Sequence, residues 1–352
     1  MKNIKAEVRT HRLNFIQPAT TSRDTLRVKQ VWYVKILNGD DPSQYGIGEI
    51  APILGLSIES EKEIDYAINS ILDGHLDPEM HHTTPSVRMG LEMALADYNS
   101  TTDQMYFESA FASGLKEQLI NGLVWMGDAQ YMLDQVTSKL ELGFSTLKLK
   151  IGTLDFKTEL DILRSIRSKH SAEQITIRVD ANGAFGKDAA EKLKLLSEFD
   201  LHSIEQPIPA GNWKDMAQLC QDSPLDIALD EELIGIHETD QKKRLLETIR
   251  PQYIVLKPSI LGGFSSCNEW IDLANRQGCS WWATSALESN LGLNAIAQWV
   301  ATKDNALPQG LGTGQLFRNN TPSRLELSGE KLSHQPNKSI DFNSFWHGLD
   351  TL

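Results

Sequence analysis

ITIRVDAN, Ile175–Asn182, is the stretch on which the fold turns. Residues two apart on a strand share a face, so Arg178, Asp180 and Asn182 lie together, opposite Ile177 and Val179. The same design recurs on either side. TLKLKI, Thr146–Ile151, sets Lys148 and Lys150 against Leu147, Leu149 and Ile151. HSIEQ (202–206), DIALDE (226–231) and YIVLKP (253–258) each carry a charge directly after an apolar residue: Glu205 after Ile204, Asp230 after Leu229, Lys257 after Leu256. With LINGLVW (119–125) and CSWWAT (279–284) they make seven short strands separated by longer amphipathic stretches, and Leu307–Leu311 offers a short eighth. That rhythm specifies βα units on a parallel sheet, and eight of them close a (β/α) barrel. An open doubly wound sheet is the competing architecture, but no GxGxxG follows the first strand.

Asp180, Glu205, Asp230 and Lys257 recur every 25 to 27 residues. In a barrel of about 250 residues this places one charge on each successive strand, at the C-terminal end where barrel enzymes build their sites. Each charge faces away from the helix-packing side and therefore into the barrel. Any one of these residues alone reads better as a solvated charge just past a strand end; the set in alternation does not. Three converging carboxylates need a cation, and the lysines need anionic neighbours, because an unpaired buried charge costs several kcal/mol. Oxygen ligands without His or Cys suit a hard divalent ion, Mg²⁺ first and Mn²⁺ second. A metal so held neutralises a substrate carboxylate while a nearby lysine removes the adjacent proton, so the reaction class is proton abstraction α to a carboxylate.

The first hundred residues differ. IKAEVRTHRLNF, TLRVKQVWYVKIL and YGIGEIAPI read as an antiparallel meander, and helical spacing follows around Ile58–Leu72 and Ser86–Tyr98. The expected organisation is an α+β cap over residues 1–110, completed by the tail 316–352, on a barrel over 111–315. The chain has 352 residues and a net charge of −13, which repels nucleic acid and anionic membranes. Cys220, Cys267 and Cys279 form no disulfide framework and no CxxC, as in a reducing cytoplasm. The N-terminus has no apolar signal core and no run of about 18 apolar residues occurs, so neither secretion nor a membrane span is expected. No pattern specifies an oligomeric state. Trp281 and Trp282 point to opposite faces and pack, and His81 and His82 serve a turn or the surface.

Taken in order, GIGEIAPI, the KLK pair, RVDAN, IEQP, ALDEEL and LKPSILGG resemble the enolase superfamily, whose members pair a Lys or His base with Mg²⁺. Arg178 within RVDAN, LKPSILGG, and ATSALESNLGLNAIAQW (283–299) are similar to the o-succinylbenzoate synthase family of menaquinone biosynthesis. No Asp-x-Asp follows the seventh strand as in dipeptide epimerases, and no His stands as base as in mandelate-type members. The resemblance implies a lyase that dehydrates 2-succinyl-6-hydroxy-2,4-cyclohexadiene-1-carboxylate to 2-succinylbenzoate, with ligands Asp180, Glu205 and Asp230. Lys150 would be the base, Lys257 would face it across the substrate, and Lys148 would support both base and metal. Arg178, Asn182 and Glu231 would surround and orient the ligands, although Glu231 reads equally as a solvated loop charge. Cap loops around Phe15–Arg23 and Ile53–Leu56 would close over a small carboxylate substrate, with Ser285, Ala286, Gly312, Thr313 and Arg23 contacting it. An N-succinylamino acid racemase is the alternative enzyme, and a non-catalytic anion- or metal-binding barrel the alternative class.

Overall fold

The computed structural model describes residues 4–20 and 25–351. Strands β1 (Ile4–Thr20), β2 (Thr25–Asn38) and β3 (Tyr45–Ile50) form the expected antiparallel meander. Helices α1 (Glu61–Leu72) and α2 (Pro85–Tyr98) cover one face of it. Helix α1 starts where it does because Ser60 and Glu63 form a reciprocal capping box, and it buries Ile64, Ala67, Ile68 and Ile71, one stripe at helical spacing. The glycines of β3 let α2 lie directly on the sheet. A Cβ on Gly48 would stand 1.8 Å from the Gly90 carbonyl oxygen, and one on Gly46 would stand 2.1 Å from the Tyr98 nitrogen. Val8, Trp32, Val34, Ile36 and Ile50 meet the helices there in a core of their own.

A barrel follows. After β4 (Gln118–Leu119), its parallel strands are β5 (Gly122–Val124), β6 (Thr146–Lys150), β7 (Thr176–Asp180), β8 (Ser203–Glu205), β9 (Ile227–Leu229), β10 (Tyr253–Leu256) and β11 (Ser280–Ala283), hydrogen-bonded in sequence order. Helices α3 (Ala129–Glu141), α4 (Phe156–Arg167), α5 (Ala189–Leu196), α6 (Trp213–Asp222), α7 (Thr239–Ile249), α8 (Pro258–Leu261), α9 (Gly263–Arg276) and α10 (Asn290–Ala301) connect and surround them. The eighth position is reduced to two parallel bridges, Ile120 with Gln309 and Thr284 with Gly310, which join the two edges of the sheet. Leu147, Leu149, Ile177, Val179, Ile204 and Leu229 face the helices in one continuous core; each such side chain fully buried contributes about 1.5–3 kcal/mol.

The last residues return to both units. β12 (Leu325–Ser328) and β13 (Lys331–His334) pair with β4. After α11 (Phe342–His347), β14 (Asp350–Thr351) pairs with β1. Trp281 packs outward near Trp299 while Trp282 fills the barrel interior with Ala228 and Val255, as alternation requires. The three cysteines are free and buried, and burial pushes the Cys220 thiol up to about 12. Among the described residues no helix is long and apolar enough to cross a membrane.

Candidate active site

Strand register assembles the site. Lys150 lies opposite Asp180, and Asp180 opposite Glu205, so three charges form one row across β6, β7 and β8. Asp230 stands two residues beyond Ala228, which pairs with Glu205, and therefore points inward beside that row. Asp180, Glu205 and Asp230 are 1%, 0% and 2% exposed, and each offers a carboxylate oxygen within 4.8 Å of the others.

The lysines flank them. Lys150 Nζ donates to Asp180 Oδ2 at 2.9 Å and to Asn182 Oδ1 at 2.8 Å. On the other side Lys257 Nζ donates to Asp230 Oδ2 at 2.5 Å. Lys148 lies below, hydrogen-bonded to Glu205 and 2.9 Å from Asp180 Oδ2. Burial opposes the charge of Lys148 and Lys257, yet the neighbouring carboxylates hold both above the usual lysine range. Burial likewise opposes ionisation of Asp180, but Lys148, Lys150 and Lys257 keep it below the usual carboxylate range. Glu205 is less well compensated: burial pushes it up to about 7, and its buried Oε1 meets no partner among the described residues. An all-oxygen set with a free acceptor fits a hard divalent ion.

The surrounding residues separate into two groups. Asn182, with φ of 44°, turns its amide so that Nδ2 donates to Glu231 Oε1 at 3.1 Å while Oδ1 accepts from Lys150. Glu231 is only 8% exposed, which excludes the reading as a solvated loop charge. Arg178 instead lies on the barrel floor, donating to the Pro308 carbonyl, its guanidinium 4.1 Å from the Trp282 ring centroid.

A cavity of about 330 Å³ opens above the lysines. Ser285, Ala286, Gly312 and Thr313 line it, as the sequence predicts, together with Ile53–Leu56 of the cap. The described part of 15–23 does not: Phe15 packs on Phe317, ring centroids 4.6 Å apart, and the cap's further contribution is Leu26. Arg23 lies outside the described residues.

Other contributors escape sequence reading. Gln206 Oε1 accepts from the backbone N–H of Asp230 and of Glu232, and its Nε2 donates to Glu232, which fixes the turn carrying Asp230. Glu288 accepts from Ser285 Oγ and the Ala286 N–H, holding the lining loop. Lys29 of the cap donates to the carbonyls of Ala51 and Ala286, tying cap to loop, and burial brings it down to about 8. Asn121, Leu123 and Trp125 also line the cavity; strand alternation in LINGLVW puts all three on one face.

A capped barrel with three inward carboxylates between opposed lysines defines an enolase-superfamily site. Residues 131–331 match the enolase C-terminal domain-like family and residues 5–98 the MenC N-terminal domain. The chain is 44% identical to the o-succinylbenzoate synthase of Desulfotalea psychrophila, over 94% of this chain and 99% of that one. The crystal structure of MenC from the same organism superposes with a TM-score of 0.82, covering 94% of this chain and 99% of that chain at 41% identity. An N-succinylamino acid racemase from Amycolatopsis is more distant, 24% identical over 90% of this chain and 88% of its own. The chain belongs to the o-succinylbenzoate synthase family.

Proposed function

We propose that the chain is an o-succinylbenzoate synthase, a lyase of menaquinone biosynthesis that removes water from 2-succinyl-6-hydroxy-2,4-cyclohexadiene-1-carboxylate to give 2-succinylbenzoate. The observation that supports it best is the pair Lys150 and Lys257, set on opposite flanks of three buried carboxylates under an apolar ceiling. Enolase-superfamily enzymes use Mg²⁺; Asp180, Glu205 and Asp230 would hold it, with Mn²⁺ as a substitute. When bound, the ion neutralises the ring carboxylate and makes the adjacent C–H more acidic.

Lys150 takes that proton. The Lys257 ammonium faces the charge that develops on the carboxylate oxygens, so its attraction is larger in the transition state than in the ground state. Lys150 then returns its proton to the leaving hydroxyl as the C–O bond breaks, releasing water and restoring the free amine. Asn182, bonded to both Lys150 and Glu231, sets the direction of the base; Lys148 supports the carboxylates. Aromatisation drives the second half, leaving the first barrier as the protein's task. We further infer that the cap runs to about residue 110 and takes in 316–352, the barrel occupying 111–315. Free buried thiols and the acidic surface suit a cytoplasmic enzyme with a small-molecule substrate.

The test is loss of diene absorbance with purified protein and the cyclohexadiene substrate, with and without Mg²⁺. Rapid Mg²⁺-dependent loss is expected; no turnover by folded, metal-binding protein would overturn the synthase reading. Opposed lysines also suit racemisation, so α-hydrogen exchange of an N-succinylamino acid in D₂O measures that second activity.

A further inference from the structure

Behind the cavity wall, where cap meets barrel, lie three charged side chains that no step of the reaction uses. Lys29 of β2, Glu49 of β3 and Glu288 after β11 are 5%, 1% and 0% exposed, and none of them lines the cavity. They converge on one turn. The Ala286 N–H donates to Glu288 Oε2 at 2.8 Å and the Ala286 carbonyl accepts from Lys29 Nζ, so opposite charges hold the two ends of a residue that lines the cavity. Glu288 also accepts from the Ser285 and Ser259 hydroxyls, and Glu49 accepts from the N–H groups of Ser289 and Gly292 where α10 begins. Leu287, inside this turn, has a φ of 63°, a left-handed conformation that a leucine adopts only when its surroundings impose it.

Lys29 does more than close that turn. Its ammonium also donates to the Ala51 carbonyl at 3.3 Å, just before the cap loop 53–56 that lines the cavity. One side chain thus fixes two lining segments against each other, one from the cap and one from the barrel. Burial opposes its charge, and Glu288 and Glu49 favour it in return. An apolar residue would fill the same space at lower electrostatic cost, but it has no donors for two carbonyls. The cap does not depend on Lys29 to stay in place, because Glu92 of α2 accepts from the N–H groups of Phe264 and Ser265 on α9. We infer that Lys29 and Glu288 are positioning residues for substrate binding: acting together on Ala286, they hold the turn 285–287 and the cap loop 53–56 in the one arrangement that receives the substrate. This deepens the synthase reading and rests on it for the identity of the substrate.

The test is steady-state kinetics with the cyclohexadiene substrate and calorimetry with 2-succinylbenzoate, both on the Mg²⁺-loaded full chain. Lys29→Met removes the charge at similar length. It should raise KM and the Kd of 2-succinylbenzoate about tenfold, with kcat changed less than about threefold and the Mg²⁺ titration unmoved. Glu288→Gln, which keeps an acceptor but loses the charge, should raise both about threefold or more. The double variant should raise them about as far as Lys29→Met alone rather than by the product of the single effects, because the two residues act through one turn. Ser60→Ala weakens the cap at α1, away from this turn, and should move neither constant. Thermal midpoints check folding; if Lys29→Met does not fold, the double variant, with both buried charges gone, carries the test, and a wild-type KM in it would overturn the inference. A lower kcat at unchanged KM would make the pair merely structural, and multiplied effects in the double variant would mean that the residues act separately; either result overturns the inference. Failure of the wild type to turn over the cyclohexadiene substrate would sink the synthase reading itself. Normal wild-type turnover with KM and Kd unchanged in the variants would sink only the positioning role.

Discussion

Asp97 in the cap and Asp180 in the barrel are both buried, yet they meet opposite electrostatic surroundings. Asp97 accepts from the backbone N–H groups of Ile47 and Gln104, and burial pushes it up to about 7. Asp180 sits among three lysines, which outweigh burial and keep it ionised. A buried acid held mainly by backbone N–H groups is a structural clamp that approaches neutrality, while one set among several counter-charges stays an anion. Asp97 thus clamps the cap's backbone, while Asp180 stands as an anion in a carboxylate set that could hold a metal.

The sharpest way to break that division is Lys150→Ala, expected to lower turnover by about 10²- to 10⁴-fold while calorimetry shows Mg²⁺ affinity largely intact. Retention of more than a few per cent of activity would remove Lys150 from its role as base. Asp230→Asn should weaken Mg²⁺ binding about 100-fold and activity with it. An unchanged metal titration would mean that the ligand set is misassigned.

In the cap the readout is stability instead. The folded pKa of Asp97 is raised above its unfolded value, so its contribution is fully present at low pH and is lost as pH rises through about 7. Between pH 5 and 7 that loss amounts to about 2 kcal/mol. Urea midpoints should fall across this range, and Asp97→Asn should flatten the slope, leaving the part due to Glu49 and Glu205, which burial also pushes up to about 7. An identical slope in the variant would assign the linkage elsewhere. Smallest of all, Ser60→Ala removes the α1 capping box and should cost about 1 kcal/mol with kcat unchanged. A parallel drop in kcat would show that cap and barrel do not separate as argued.

Much of the site is legible because strand alternation and the repeat of the βα unit are local. Asp180, Glu205, Asp230, Lys150 and Lys257 each follow from their neighbours two residues away and from a spacing of 25 to 27. Glu231 is ambiguous in sequence because it begins a short turn after β9, where no periodicity tells inward from outward. Gln206 stands beside an acidic neighbour that dominates the local pattern, and its clamp on Asp230 spans 24 residues.

By itself the sequence determined the barrel, the inward row of charges and a carboxylate set that could hold a divalent cation, since each depends on periodicity and charge balance within a few residues. Only the tertiary structure decided the ceiling and the closure of the first strand on the eighth position. Lys29 reaches Ala286 across 257 positions, and Asn121 comes beside Gly312 only when the first strand meets the eighth. Such contacts are set by how the units pack, and no local pattern carries them.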